Sequence, residues 1–140
     1  MKPTYIFTSL VLLLFIGCKS QQYTFEELPE KYIQFGSGGG VTGMVTTFTL
    51  LPNGQLFKNN SITKEYTELQ NVPKDKVKLL FNRLADLKQT NTPIEQPGNM
   101  FAFLEDIDGK STYRMVWDTA NPQVSEEIRT LYKMLYTTTN

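Results

Sequence analysis

The sequence contains no histidine and only one cysteine. Without imidazole there is no Ser-His-Asp or Cys-His catalytic arrangement and no zinc site of Cys/His type. A single thiol cannot close an intramolecular disulfide. Neither sign of charge dominates, because 14 Lys and Arg face 14 Asp and Glu. That balance excludes a strongly basic nucleic-acid binder and an acidic tail. No apolar run reaches the roughly 20 residues that a membrane-crossing helix needs. What remains is 140 residues with 40% apolar and 20% charged side chains, the composition of one packed domain.

The chain opens on Met1-Lys2 and then carries no charge until Lys19. Within that stretch Leu10-Val11-Leu12-Leu13-Leu14-Phe15-Ile16 is continuously apolar. A short positive start followed by a short apolar run is the pattern of a secretory signal. The run ends in Phe15-Ile16-Gly17-Cys18, which resembles the lipobox of bacterial lipoproteins. The resemblance implies diacylglycerol on the Cys18 thiol and cleavage just before it. It divides the chain into a signal peptide (1–17), a polar tether (18–29) and one domain (30–137). Two or three acyl chains anchor stably where one is marginal, at ~0.8 kcal/mol per buried CH₂. Lys19 stands where inner-membrane lipoproteins often have aspartate, so the resemblance points to the periplasmic face of the outer membrane.

Beyond the tether, Tyr32-Ile33-Gln34-Phe35 reads as a strand that Gly36-Ser37-Gly38-Gly39-Gly40 breaks. Residues 41–51 are rich in β-branched side chains and read as a second strand. Pro52-Asn53-Gly54 is a hairpin turn leading to a return strand over 55–58, with residues 59–61 a loop. Residues 62–69 alternate apolar and polar and suggest an edge strand. Val77, Leu80, Phe81, Leu84 and Leu87 recur at helical spacing, predicting a helix over 73–88 that starts on Pro73. Residues 89–98 read as a loop.

Asp108-Gly109 marks a second hairpin, with Ile107 opposite Lys110, Leu104 opposite Tyr113, Ala102 opposite Met115 and Met100 opposite Trp117. Leu104, Tyr113, Ala102, Met115, Met100 and Trp117 share one face, which becomes the core. Glu105 and Arg114 meet diagonally on the other face. Asn121-Pro122 opens a last helix with Val124, Ile128, Leu131, Tyr132, Leu135 and Tyr136 as its stripe. The expected class is α+β: an antiparallel sheet of four to five strands with two amphipathic helices packed on one face.

The chemistry is mostly exclusion. Asp106-Ile107-Asp108-Gly109 lacks the third acidic ligand and the distal glutamate of a calcium loop, so no metal is expected. The glycine run leads into a strand rather than a helix and is followed by no nearby lysine, unlike a phosphate loop. It reads as a flexible inter-strand loop, with a recognition loop as the sharper alternative, because glycines let backbone groups approach a partner without side-chain obstruction. No catalytic residue and no cofactor are expected.

The glycine run Phe35-Gly36-Ser37-Gly38-Gly39-Gly40-Val41-Thr42-Gly43, the helix over 77–87, the strand Tyr113-Arg114-Met115-Val116-Trp117 and a closing helix follow one another in order. This order is similar to that of emfourin-type inhibitors of thermolysin-like metalloproteases. The resemblance implies occlusion of a protease cleft by an exposed segment, here Gly36, Ser37, Gly38, Gly39, Gly40, Val41, Thr42 and Gly43. The expected function is a non-enzymatic binding module, lipid-anchored in the bacterial envelope, with a protein partner, a protease among the candidates, and no nucleic acid. The alternative is an envelope structural or assembly factor that uses an open sheet face around Phe101, Phe103 and Val116.

Overall fold

A computed structural model describes residues 21–140. The signal-peptide expectation and Cys18 lie outside the described residues. The first strand, β1 (Lys31–Gly39), occupies the middle of the sheet. It pairs antiparallel with β2 (Met44–Leu50) on one side and with β6 (Met100–Asp108) on the other. From β2 the sheet continues to β3 (Leu56–Asn60) and the short β4 (Tyr66–Glu68). From β6 it continues to β7 (Ser111–Asp118) and to β5 (Ile94–Gln96), which runs parallel to β7. The order is β4-β3-β2-β1-β6-β7-β5. Two helices, α1 (Lys74–Thr90) and α2 (Glu126–Tyr136), pack on one face.

The α+β class and the two helices on one face match expectation. The sheet is larger, with seven strands rather than four or five, and it is mixed. Residues 94–96, expected in a loop, add the parallel edge strand. No periodicity over three residues announces such a strand; the unpaired edge of β7 recruits it.

Period-two alternation places Ile33, Phe35, Phe48, Leu50, Leu56, Ala102, Leu104, Tyr113, Met115 and Trp117 beneath the helices. Val77, Leu80 and Leu84 of α1 and Ile128, Leu131 and Leu135 of α2 close over them. Each such side chain contributes ~1.5–3 kcal/mol on burial. Helix α2 begins at Glu126, four residues beyond the expected Pro122. The Ser125 side chain caps it by accepting from the Ile128 N–H at 3.3 Å.

The second hairpin has a different register. Asp108 pairs with Ser111 and Leu104 with Met115, so Gly109 and Lys110 make the turn. Gly109 supplies the positive φ of 58° that this turn needs. The shift against the expected pairing is even, so every side chain keeps its face. Glu105 now stands directly opposite Arg114, which it binds in an ion pair. Met100, expected in the core, lies beyond the helices and is exposed.

The outer sheet face carries no helix, yet Phe103 and Val116 are buried. Arg114 covers this region, its guanidinium 5.7 Å from the Phe103 ring centroid and 3.0 Å from the Glu95 carboxylate. The chain near residue 21 is also bound down. The buried Gln55 side chain accepts from the Tyr23 N–H at 2.8 Å and donates to the Tyr23 carbonyl at 3.0 Å. Asn53 Nδ2 donates to the Gln21 carbonyl at 2.7 Å, and the Phe25 ring stacks on Tyr66. Part of the expected tether therefore belongs to the domain.

Candidate functional site

The sequence expectation centred on residues 36–43, and the fold divides them. Gly36, Ser37, Gly38 and Gly39 lie inside β1, so the run does not break the strand as expected. Gly40, Val41, Thr42 and Gly43 form the turn from β1 to β2. The difference has a steric origin. Gly36 lies opposite Phe103 and Gly38 opposite Phe101. A Cβ on Gly36 would stand 2.8 Å from Phe103 Cζ and would also collide with the Thr46 carbonyl oxygen. A Cβ on Gly38 would stand 2.7 Å from Val45 Cγ2 and 3.0 Å from Phe101 Cζ. Rings laid across strand glycines shield the exposed backbone and offset the low strand propensity of glycine.

On the opposite face, Tyr132 of α2 donates its hydroxyl to the Gly36 carbonyl at 2.8 Å. Tyr136 meets the Ser37 hydroxyl at 3.2 Å. Gly36–Gly39 is thus held from both sides and is not free to reach a partner.

Burial first, and the hydrogen-bonded Tyr136 second, push the Tyr132 phenol well above the ordinary tyrosine range. Burial also raises Tyr113. A raised folded-state value means that the unfolded chain loses its phenolic proton first as pH increases. Stability from these groups is intact below the unfolded value of ~10 and declines above it. The urea midpoint is expected to fall between pH 9 and pH 11, and less steeply in Tyr132→Phe. An unchanged slope in that variant would remove Tyr132 from the account.

The turn itself projects. Gly40 and Gly43 have φ of 73° and 61°, and Val41 is fully exposed. Met44, Met100 and Ile62 are also exposed, and they lie at the same end of the sheet. Met44 begins β2, Met100 begins β6, and Ile62 follows the end of β3. Asn60 connects them: its Nδ2 lies 3.2 Å from Met44 Sδ and its Oδ1 accepts from the Ile62 N–H at 2.9 Å. Gly40 donates its N–H to the Asn99 carbonyl at 2.8 Å, which fastens the turn to the start of β6. These side chains hold four of the six exposed large apolar positions among the described residues. Periodicity in the sequence places Met100 in the core. It has no signal for Ile62, because only the sheet order brings that loop beside the turn.

Two acidic side chains near the second hairpin are paired. Asp106 pairs with Lys88, and Asp108 pairs with Lys31 at 3.2 Å. A hollow of about 690 Å³ lies between α1 and α2 and is bordered by Arg83, Asp86, Glu126 and Glu127. All four are exposed. Among the described residues no group of three Asp, Glu, Cys or His side chains is arranged to hold a metal. Among them, too, no helix is long and apolar enough to cross a membrane.

No protein-family model matches the chain, and no curated protein is significantly similar to it.

Proposed function

We propose that this protein is a lipid-anchored envelope lipoprotein, attached through Cys18, that acts as a non-enzymatic binding module. Its contact surface is the pole formed by Val41, Met44, Ile62 and Met100. Its partner is a protein, and the likeness to emfourin-type inhibitors favours a metalloprotease. The periplasmic face of the outer membrane is its address.

One observation carries this reading. The exposed apolar side chains gather at the end of the sheet opposite the one where the chain enters the domain. Gln21 and Tyr23 are tied to Asn53 and Gln55, in the turn between β2 and β3. Only Lys19 and Ser20 separate Cys18 from Gln21. At ~3.5 Å per residue the docked end then sits within roughly 10 Å of the lipid headgroups. A nine-residue strand such as β1 carries the opposite pole about 30 Å further out. Clustered apolar exposure on such a pole is the mark of an interaction surface. Phe103 and Val116 are buried and Phe101 is half-buried, which counts against the alternative, in which the outer sheet face is the working surface.

Two measurements test the proposal. Intact mass of the membrane-extracted protein is expected to show loss of residues 1–17 and acyl chains on Cys18, and Cys18→Ser should move to the soluble fraction. An unmodified Cys18 overturns the anchor. Separately, the full chain in detergent is expected to inhibit a thermolysin-like metalloprotease, and Val41→Asp/Ile62→Asp should weaken inhibition at least tenfold. Such surface substitutions change stability by only about 0.5 kcal/mol, so the melting temperature should hold. Absence of inhibition removes the protease partner.

A further inference from the structure

A second cleft opens near the same pole and has a different chemistry. It measures about 250 Å³ and lies between α2 and the ends of β6 and β7. Its border includes Trp117, Thr119, Pro122, Arg129, Tyr132 and Lys133. Arg129 and Lys133 stand four residues apart on α2, so they project from the same side of the helix. Neither forms an ion pair with any described carboxylate, and no acidic residue borders the cleft.

Arg129 is the unusual member. Its Nε is buried without a hydrogen-bond partner, the one side-chain nitrogen or oxygen in that state among the described residues. Leaving such a donor unpaired is costly, more so for a charged group, and native folds keep few of them. Two cations one helical turn apart, with no acidic residue beside them, make the border of the cleft electropositive and favour an anion. The walls limit which anion. Trp117 and Tyr132 pack edge to face with centroids 5.1 Å apart, and Ala102 and Pro122 complete an apolar lining. That lining suits a small anion with an aliphatic body.

We propose that this cleft is a subsite for a carboxylate carried by a peptide. The Arg129 guanidinium turns to bring an N–H to one carboxylate oxygen, and Lys133 meets the other from the solvent side. The aliphatic carbons of the ligand lie against Trp117 and Tyr132. Met100 stands on the same face of β6 as Ala102, two residues away, so an apolar neighbour in the peptide meets the exposed pole. The carboxylate comes either from an acidic side chain or from a chain terminus. The inference does not depend on how the chain is anchored.

Trp117 is the only tryptophan, so its fluorescence reports on the cleft directly. The full chain in detergent is titrated with three five-residue peptides built around leucine. One has a central glutamate and blocked ends, one has glutamine and a free C-terminus, and one has glutamine and blocked ends. A saturable change is expected with the first or the second, at least tenfold weaker with the third, and the stronger of the first two identifies the source. Arg129→Gln should weaken binding at least tenfold, and Lys133→Gln about threefold, with KCl weakening it in the native chain. Lys133 is exposed, so its variant keeps the test valid if Arg129→Gln unfolds. The proposal fails if no carboxylate peptide gives a saturable change, if inorganic phosphate binds as tightly, or if both variants bind like the native chain.

Discussion

Gly36→Ala is expected to destabilise the domain by about 3 kcal/mol, at the upper end of what overpacking costs. The added methyl meets two obstacles of different kinds. Phe103 Cζ and Cε1, at 2.8 and 2.9 Å from the new Cβ, belong to a side chain that can turn aside. The Thr46 carbonyl oxygen belongs to the neighbouring strand and cannot move without breaking the β1–β2 ladder. Phe103→Ala in the same chain therefore should not rescue it. At a few degrees per kcal/mol for a domain of this size, the melting temperature should fall by roughly 10 °C.

Gly43→Ala is the control. Nothing lies within 4 Å of its Cβ, so only the positive φ of 61° opposes it, at about 1–2 kcal/mol. Thermal melts of the two variants check the contrast, and equal losses would refute the steric account. The practical consequence concerns function. Any loss of binding in a Gly36 or Gly38 variant reports a damaged central strand, so partner recognition is better probed at Val41.

Lys88→Met is expected to cost about 3 kcal/mol, the scale of breaking a buried ion pair. Asp106 sits on the core face of β6 with its side chain 6% exposed, and Lys88 of α1 is its cation. The Lys88 side chain is 31% exposed and lies 5.8 Å from the Tyr113 ring centroid, so water screens one end of the pair. Removing Lys88 leaves a carboxylate in an apolar layer with no compensating charge. Lys88→Met/Asp106→Leu removes both charges and fills the space with carbon. That double variant should recover most of the loss, because an apolar replacement of a buried pair is often neutral or better. Urea unfolding of the two single variants and the double variant measures the coupling. If the two single losses simply add up to that of the double variant, the pair does not hold α1 to the sheet.

Both expectations rest on contacts that the sequence does not announce. Nothing in the spacing of Lys88 and Asp106 links them, and their pairing needs α1 laid across β6. The glycines of residues 36–40 read as a strand breaker because glycine alone has poor strand propensity. Phe101 and Phe103, more than sixty residues away, make them strand residues. The candidate site shows the same division. Val41, Thr42 and Gly43 were legible as part of a candidate recognition segment, but read as strand rather than as the turn they form, because β-branched side chains favour strands. Ile62 and Met100 joined the site only through sheet order, and Arg129 only through what fails to reach it.

Properties that repeat along the chain were decided by the sequence itself. The α+β class, the apolar stripes of α1 and α2, the faces of the second hairpin and the absence of histidine chemistry all follow from spacing and composition. Strand order, the parallel edge at residues 94–96, the register of β6 on β7 and the apolar pole were decided by the tertiary structure. The physical reason is range. Periodicity records which face of an element is buried, whereas the partner across the sheet is chosen by steric fit and hydrogen bonding between residues far apart in the chain.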